Sequence, residues 1–378
     1  MRVAFDAHVV GERESGNETY AVNLLQALVN DPAGDNTYQV LTPYPDRLRA
    51  AVELPPSATV VAVRPANSLL RIPFGIPSAV RRHRSDVLHV SYIAPLVVGC
   101  PTVVTVHDLS YLAYPQSLSP RARFILTALV PLSVRRAARV IAVSAFTRQD
   151  LVTRYGIPDE KISVIHEAAG PAFRVLDDAG SRRLPPAVTE PFVLGVGNLE
   201  PRKNLARLIE AFAALAREPG VTAKLVLVGR ARRQAASLAG LVELHGLRDR
   251  VIFTGFVEEE DLVLLYNRAA LFIYPSLYEG FGLPPLEAMA CGCPVIASNV
   301  TAMPEVLGDA ALLVNPTSAH AMTEAMRALL RGDAQSDELR ARGLRQVARY
   351  SWAHAAEQTR AVYEDAVAHA RAGRTAAN

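Results

Sequence analysis

Strand-like and helix-like segments alternate along almost the whole chain, and this alternation limits the folds that it can adopt. Short runs rich in β-branched residues, such as 87–92 and 192–196, end in small or polar residues and are followed by amphipathic stretches such as 17–29. Strands that alternate with helices form parallel sheets covered by helices on both faces. The sequence therefore predicts an α/β protein built from doubly wound, Rossmann-like sheets.

The alternation breaks once, over residues 177–190, where charged residues, a glycine and two prolines are typical of a linker. With 378 residues, the chain is long enough for two domains. We predict one domain over residues 1–176, a second over 191–350, and a long amphipathic helix within 351–378. Because ligands of such sheets bind at the carboxyl ends of the strands, we expect the two domains to face each other across a cleft.

Composition and charge exclude several classes of protein. Half of the residues are hydrophobic, which excludes disorder as the main state. Forty basic and 37 acidic side chains give a net charge of +3. The electrostatic field of so small an excess charge is too weak to favour nucleic acid as a partner. The N-terminus begins in a strand-like run, so we expect no signal peptide. Residues 87–107 lack charged side chains, but their prolines and valines indicate two buried strands rather than a membrane span.

The three cysteines favour a reducing, cytoplasmic location. Cys100, Cys291 and Cys293 are an odd number and form no disulfide framework. The pair at 291 and 293 has no second Cys or His pair nearby, so small buried packing residues are the better interpretation than zinc ligands. No Asp-x-Asp motif occurs either, and we expect no metal site.

A glycine-containing loop between a predicted strand, 271–275, and a predicted helix, 284–290, is the most informative segment. Glycines let the backbone approach a ligand closely, and the free amides at a helix start bind anions. Glu279 in the loop and Glu287 in the helix are separated by seven residues. They are suited to accept hydrogen bonds from different hydroxyl-rich parts of one extended ligand. For Glu287, the alternative is a carboxylate favoured by the helix dipole.

Two cations precede another predicted helix, 204–217. Arg202 and Lys203 lie where the helix dipole disfavours positive charge. A bound diphosphate would offset that cost, because Arg offers a planar fork and Lys a point charge to phosphate. The alternative is a solvated surface pair. No Gly-Lys dipeptide is present for a Walker-type loop, and Glu200 interrupts a dinucleotide fingerprint.

Together, segments 200–204 (Glu-Pro-Arg-Lys-Asn) and 279–290 (Glu-Gly-Phe-Gly-Leu-Pro-Pro-Leu-Glu-Ala-Met-Ala) resemble the retaining glycosyltransferases of family four, which have the GT-B fold. The resemblance extends to mannosyltransferases of bacterial polysaccharide assembly. In the first half, 104–109 resembles the family's strand-end histidine motif and 143–147 its serine-bearing turn. Residues 15–20 stand where the family has a glycine-rich loop, with Asn17 and Glu18 replacing small residues and an arginine.

The resemblance implies a role for each matching residue. Arg202 and Lys203 would bind the donor diphosphate, and Glu287 the ribose hydroxyls. Glu279 and the neighbouring loop amides would hold the sugar and its phosphates, and His107 would contact the sugar near the reacting carbon. A lone strand-end histidine is otherwise often structural. Gly16 would approach the diphosphate from the other domain, and Arg230 and Val257 would flank the nucleobase. The remaining donor-binding residues that the resemblance implies are Asn198, Gly280, Phe281, Gly282 and Leu283.

The reaction implied by the resemblance is transfer of a hexose, with retention and without metal or cofactor, from a GDP- or UDP-sugar to an acceptor hydroxyl. The domain 1–176 would bind the acceptor, a glycan, a lipid-linked molecule or a small molecule. The domain 191–350 would bind the donor, and the helix within 351–378 would cross back onto the first domain. GDP-mannose is favoured by the resemblance to mannosyltransferases, while UDP-glucose and other donors remain open. The alternative function for a protein of this architecture is that of a nucleotide-sugar epimerase or a glycosyl phosphorylase.

Two basic clusters bear on the acceptor side. One comprises Arg81, Arg82, His83 and Arg84, and the other comprises Arg121, Arg123, Arg135, Arg136 and Arg139, which flank the apolar stretch 124–134. A basic amphipathic helix can lie on the anionic inner face of a membrane or face a phosphorylated acceptor. The alternative is an ordinary domain helix with solvated ends.

Overall fold

The fold comes from a computed structural model that describes residues 1–12, 15–31, 34–230, 234–332 and 334–377. The chain forms two compact units rather than a single one. The first comprises Met1–Leu112, Leu118–Glu167 and the chain from Ser351 onwards, and the second comprises Ala113–Ser117 and Ala168–Tyr350. Each unit is built around its own parallel sheet.

The first unit contains a seven-stranded parallel sheet in the order β3-β2-β1-β4-β5-β6-β7. Its strands are β1 (Arg2–Asp6), β2 (Thr37–Thr42), β3 (Ala58–Ala62), β4 (Val87–Ser91), β5 (Thr102–Val106), β6 (Arg139–Ala142) and β7 (Ile162–Val164). The helices that this unit contributes before residue 168 are α1 (Ser15–Val29), α2 (Pro45–Ala51), α3 (Ser68–Leu70), α4 (Ile76–His83), α5 (Ser110–Ala113), α6 (Pro120–Arg136) and α7 (Ala145–Tyr155), with a π-helical turn at Arg71–Gly75.

The uncharged window 87–107 forms β4 and β5, two adjacent parallel strands. Val103, Val104 and Val106 are fully buried, because helices cover both faces of the sheet. The interpretation as two buried strands is therefore confirmed.

The second unit contains a six-stranded parallel sheet in the order β10-β9-β8-β11-β12-β13. Its strands are β8 (Phe192–Val196), β9 (Lys224–Val228), β10 (Val251–Gly255), β11 (Leu271–Tyr274), β12 (Val295–Ser298) and β13 (Leu312–Val314). Its helices are α8 (Leu205–Ala216), α9 (Ala235–Leu244), α10 (Glu259–Arg268), α11 (Leu283–Ala290), α12 (Met303–Leu307), α13 (Ala319–Leu330) and α14 (Ala334–Val347). The helix predicted over 232–245 thus begins at Ala235, and residues 232 and 233 lie outside the described residues.

In each sheet the strand order reverses at one place, between β1 and β4 in the first unit and between β8 and β11 in the second. The connections leave the sheet in opposite directions there, which opens a crevice at the carboxyl ends of the strands. The fold class predicted from the alternation, two Rossmann-like sheets, is confirmed. It also identifies the edge of each sheet where a ligand would bind.

The last helix, α15 (Trp352–Ala377), belongs to the first unit although it follows the second in sequence. Val362, Tyr363 and Ala366 are buried, and the Tyr363 hydroxyl lies 2.6 Å from Nδ1 of His89 on β4. The helix therefore covers part of a sheet formed by residues more than 200 positions earlier.

The segment 177–190 is not a free linker. Arg268 of α10 donates to the Ala179 carbonyl at 2.6 Å and pairs with Glu190, and the Leu176 amide donates to Asn267 at 2.8 Å. These contacts fix the segment on the second unit, so the boundary between the units lies after Glu167 and not after residue 176. A polar, proline-containing composition does not reveal such side-chain anchoring, which is why the sequence suggested a linker.

Candidate functional site

A tight turn at the end of β8 carries the two predicted phosphate-binding cations. Gly197 follows the strand with φ of 147°, and after the 3-10 turn Pro201–Lys203 comes Asn204 with φ of 59°, just before α8. The neighbouring strand end approaches so closely that a Cβ on Gly229 would lie 2.1 Å from the Gly197 carbonyl oxygen. Only glycine fits there. The cations therefore lie in a turn that precedes the helix.

Backbone and amide hydrogen bonds join this turn to the loop after β11. The Leu277 amide donates to the Arg202 carbonyl at 2.7 Å, and Asn204 donates to the Pro275 carbonyl at 3.1 Å. The strands β8 and β11 are neighbours at the switch point of the sheet. The motif after β8, with its two cations, and the glycine-containing loop after β11 are therefore in contact there.

Three donors converge on one carboxylate oxygen. Glu279 Oε1 accepts from Lys203 Nζ at 2.6 Å, from Arg202 Nη1 at 2.8 Å and from Ser276 Oγ at 2.5 Å. Lys203 Nζ also donates to the Tyr274 hydroxyl at 2.5 Å. Glu279 and Lys203 are 7% and 8% exposed. A buried charge is tolerated only when it is paired and hydrogen-bonded in this way.

Electrostatics keep the Glu279 carboxylate ionised. Burial raises the pKa of Glu279, but the charges of Arg202 and Lys203 and the hydrogen bonds outweigh burial and lower that pKa to about 2. Burial and the Arg202 charge lower the pKa of Lys203, and Glu279 offsets part of the shift. Glu200 lies 3.4 Å from Arg202 as a second carboxylate. The two cations are therefore balanced by carboxylates and are not a solvated surface pair.

Lys203 retains capacity for a further partner. Its ammonium group has three N–H donors, and its hydrogen bonds within the described residues go to Glu279 and Tyr274. One N–H thus has no acceptor in the described part of the chain. A phosphate oxygen is an acceptor that this remaining donor favours.

Glu287 lies in the second turn of α11, away from the three-donor cluster. Its Oε2 accepts from the Tyr266 hydroxyl of α10 at 3.2 Å, and the side chain is buried. Burial and the charge of Glu287 raise the pKa of Tyr266 well above its usual value. Burial, followed by Glu279 and then Glu287, raises the pKa of Tyr274. Glu279 and Glu287 thus both raise the pKa of Tyr274, although they do not lie on one face of a helix.

The loop residues between the glutamates, 280–283, are all buried. Gly282 has φ of 99° and precedes α11, a left-handed conformation that favours glycine. Phe281 packs edge-on against Tyr350 with ring centroids 5.8 Å apart. The loop is therefore a packed element of the second unit, and Gly280 and Leu283 are held in it.

The predicted base-binding residues, Arg230 and Val257, follow β9 and β10, and the predicted donor-binding residue Asn198 follows β8. The Arg230 guanidinium lies over the ring of Phe256, 5.1 Å from its centroid, and Phe256 directly precedes Val257. The Leu199 amide, next to Asn198, donates to the Arg230 carbonyl at 3.1 Å. Phe256, which is 47% exposed, belongs to none of the motifs found in the sequence. The signal available in the sequence was a phenylalanine directly after a strand-like run.

His107 directly follows β5 in the first unit and is 9% exposed. Its Nδ1 lies 2.9 Å from Glu167 Oε1, and its carbonyl accepts from Thr147 Oγ1 at 3.1 Å. Ser144 caps α7 by accepting from the Thr147 amide at 3.0 Å. The serine-bearing turn thus helps hold the histidine. Its second partner, Glu167, lies outside the motifs that the sequence shows.

Gly16 is the second residue of α1, exposed, and a Cβ there would meet nothing within 4 Å. The segment 15–20, expected as a glycine-rich loop, is helical. Glu18 stabilises this helix start, because its carboxylate lies in the first turn and accepts from the Gly11 amide at 2.7 Å. Residues 13 and 14 lie outside the described residues.

The basic clusters differ in position. Arg81–Arg84 ends α4 just before β4, so it lies at the edge of the sheet opposite to His107. On α6, Phe124 and Leu132 are 73% and 42% exposed. The flanking exposed arginines are Arg121, Arg123, Arg135 and Arg136. Arg139, by contrast, pairs with Asp365 of α15. Within the described residues, no helix combines the length and the apolar character needed to cross a membrane.

Comparison with known proteins assigns both halves to glycosyltransferase families. Residues 15–169 match the family described as Glycosyltransferase Family 4, and residues 178–346 match Glycosyl transferases group 1. The serotype-specific mannosyltransferase WbdA of Escherichia coli is 37% identical over 227 residues, 58% of this chain and 28% of WbdA. The chain therefore spans just over a quarter of the length of that relative.

A second relative is matched over most of its length. The O-antigen chain mannosyltransferase B of Escherichia coli is 34% identical over 268 residues, 69% of this chain and 70% of the relative. Among solved structures, sucrose-phosphate synthase from Thermosynechococcus elongatus has a TM-score of 0.78 at 25% identity, over 98% of this chain and 100% of that one. The paired Rossmann-like units, the motifs at their strand ends and these matches agree, and the chain belongs to the family-four glycosyltransferases of GT-B fold.

Proposed function

We propose that this glycosyltransferase moves mannose, with retention and without a metal ion, from GDP-mannose to an acceptor hydroxyl in the cytoplasmic assembly of a bacterial polysaccharide. Two mannosyltransferases among the relatives, WbdA and O-antigen chain mannosyltransferase B, support mannose over glucose. The observation that carries the proposal is the convergence of Arg202 and Lys203 on buried Glu279 at the switch point of the second sheet. Glycans and lipid-linked glycans are the acceptor classes proposed.

Donor binding would use groups that are already fixed in the second unit. The remaining N–H of Lys203 and the guanidinium of Arg202 would contact the diphosphate. Glu287 would accept from the ribose hydroxyls, and Arg230 with Val257 would flank the base. Asn198 and the loop from Gly280 to Leu283 would complete the part of the donor site that the second unit carries.

The barrier to transfer comes from charge separation between a cationic sugar ring and the leaving diphosphate. Cations and dipoles that are fixed before the reaction stabilise that charge without reorganising. In front-face transfer, the bond from C1 to the phosphate oxygen breaks while C1 bonds to the acceptor oxygen. The acceptor proton moves to the leaving phosphate. Glu279, held by three donors, would orient the sugar and form no covalent adduct.

A donor panel tests the proposal. We expect GDP-mannose to raise the melting temperature more than UDP-glucose, UDP-galactose or ADP-glucose, because only a ligand of the folded state stabilises it. Turnover with a glycan acceptor should persist in EDTA, and NMR of the product should show retained anomeric configuration. Consumption of GDP-mannose without acceptor would instead indicate an epimerase, and dependence on free phosphate a phosphorylase.

We also propose that α6 contacts anionic lipid at the inner face of the membrane. Phe124 and Leu132 are exposed between arginines at both ends of the helix, an arrangement suited to an interfacial helix. Phe124→Ser should reduce sedimentation with vesicles containing phosphatidylglycerol. Leu244→Ser, at a 79% exposed leucine of the second unit, is the matched control. Equal sedimentation of both variants and the wild type would contradict the contact.

A further inference from the structure

The side chain of His107 is held at one nitrogen and not at the other. Nδ1 is bonded to Glu167, whereas Nε2 is buried and has no hydrogen-bond partner among the described residues. An unpaired buried polar atom is costly and marks a place where a ligand group completes the hydrogen bond. The environment of His107 is therefore incomplete at one atom.

The carboxylate decides which nitrogen carries the proton. An ionised carboxylate only accepts hydrogen bonds, so Nδ1 must donate to Glu167. In a neutral ring, Nε2 then presents a lone pair. We propose that Glu167 is a positioning residue that holds His107 in the tautomer protonated at Nδ1, so that Nε2 accepts a hydrogen bond from a substrate hydroxyl. The identity of that substrate as a sugar rests on the proposed function.

Neighbouring rings and hydroxyls fix the orientation of the imidazole but not its tautomer. Tyr20 packs edge-on against it with centroids 4.5 Å apart, and Tyr92 lies 5.7 Å away. The Tyr20 hydroxyl is bonded to Thr105 at 2.9 Å, and within the described residues it forms no hydrogen bond to a ring nitrogen of His107. Among these neighbours, the Glu167 carboxylate alone contacts a ring nitrogen of His107.

Glu167 has no competing role in the described part of the chain. It is 5% exposed, and its hydrogen bond there goes to His107. It follows β7, while His107 follows β5 two strands away in the same sheet. A buried carboxylate with one partner, at the edge where ligands bind, is better explained by positioning that partner than by stabilising the fold.

The decisive variant is Glu167→Gln, which keeps the shape but can donate its amide to Nδ1 and so favour the proton on Nε2. In ¹⁵N-histidine-labelled protein near pH 7.5, without any sugar, we expect His107 protonated at Nδ1 in the wild type and at Nε2 in the variant. We expect kcat to fall by at least roughly 10-fold with KM nearly unchanged. Asp31→Asn, which alters the carboxylate paired with Arg360 at 2.8 Å in the same unit, is the control.

Three results would overturn the inference: a wild-type His107 protonated at Nε2, one protonated at both nitrogens, or a swapped tautomer with unchanged turnover. If Glu167→Gln does not fold, the wild-type spectrum still decides the first two. Because the spectrum needs no donor, it is independent of the donor panel. If GDP-mannose did not stabilise the protein more than the other donors, GDP-mannose would be rejected as the donor, and the inference about the His107 tautomer would be unaffected.

Discussion

At the scale of single residues, Lys203 meets two requirements that usually compete. Its ammonium neutralises a buried carboxylate at 2.6 Å, and it keeps one donor for a ligand. The helix dipole that disfavours a cation at this position is offset by Glu279 and Glu200 before any ligand binds. From the sequence alone, a bound diphosphate was the group expected to offset the cost of placing these cations here. In the structure the two carboxylates already provide part of that stabilisation.

Replacing Lys203 with alanine should lower kcat by about 10²-fold or more, because the charge developing on the leaving phosphate loses a partner. Steady-state kinetics with GDP-mannose would measure this, with thermal unfolding to check the fold. Lys224→Ala, at a lysine on β9, is the control. A change confined to KM would mean that Lys203 contributes to docking and not to the transition state.

Glu287 should act on nucleotide binding instead. Glu287→Ala should weaken GDP affinity, since the ribose hydroxyls lose an acceptor, while Tyr266→Phe removes only the 3.2 Å hydrogen bond to the same carboxylate. Calorimetric titration with GDP should show a loss of about tenfold or more for the first variant, equivalent to one charged hydrogen bond. It should show a small change for the second. Equal affinities in wild type and Glu287→Ala would remove this residue from the ribose.

The site could be predicted from sequence where a motif is continuous. Arg202, Lys203 and Glu279 were selected from two short segments, and the structure brings them into contact. Glu167 and Phe256 were missed because their importance lies in partners 60 and 26 positions away in the chain. Such pairings depend on the order of strands in the sheet, and local spacing does not encode them.

At the scale of elements, α15 and the first sheet are joined by a buried polar chain. Tyr363 bonds His89 Nδ1 at 2.6 Å, and His89 Nε2 lies 2.7 Å from Thr105 Oγ1. Burial, and then the neighbouring His107 imidazole, lower the pKa of His89 to about 3, although Asp6 acts in the opposite direction. In the folded protein His89 is therefore neutral over most of the acid range.

This shift predicts acid sensitivity. The unfolded chain protonates His89 below about pH 6.5 while the folded chain does not, so its contribution is complete above that pH and is lost as the pH falls from 6.5 towards 3. The loss approaches about 1.4 kcal/mol per pH unit. Urea unfolding followed by the fluorescence of Trp352, the single tryptophan, should show a smaller decrease between pH 7 and 5 for His89→Gln.

The control for this titration is His354→Gln, at an exposed histidine of α15. Its free energy of unfolding should follow that of the wild type across the same pH range. Identical pH dependence in the wild type and in His89→Gln would show that His89 is not kept neutral by the fold.

Element boundaries were predictable because each depends on local chemistry. The strand-like run 192–196 agrees with β8 residue for residue, since a glycine follows this hydrophobic run. The segment 177–190 was not predictable, because Arg268 anchors it from about 80 positions away. Helix α1 begins at Ser15, two residues before the predicted amphipathic stretch 17–29, and Glu18 in its first turn accepts from the Gly11 amide.

At the scale of the whole molecule, the two units differ in how the chain builds them. Apart from Ala113–Ser117, the second unit is the continuous stretch Ala168–Tyr350, whereas the first requires α15 from the far end of the chain. Burial of Val362, Tyr363 and Ala366 indicates that the first unit exposes apolar surface when α15 is absent. A fully buried side chain of the size of valine, such as Val362, contributes about 1.5–3 kcal/mol.

The fragment 168–350 should therefore fold alone, with a cooperative thermal transition by circular dichroism. It should bind GDP, because Arg202, Lys203, Glu279 and Glu287 all lie within it. The omitted segment 113–117 removes one edge-on ring contact, Tyr114 on Tyr278 at 6.4 Å, a loss of about 0.5–1.5 kcal/mol beyond burial.

The counterpart fragment 1–167 should aggregate, because the surface that α15 covers is exposed, and co-expression with 351–378 should restore its solubility. The Glu287→Ala form of 168–350 serves as the binding control, since it lacks the acceptor proposed for the ribose hydroxyls. If 168–350 bound GDP no better than this control, the nucleotide would not be held by the second unit. If 1–167 were soluble and folded, α15 would not be an integral part of the first unit.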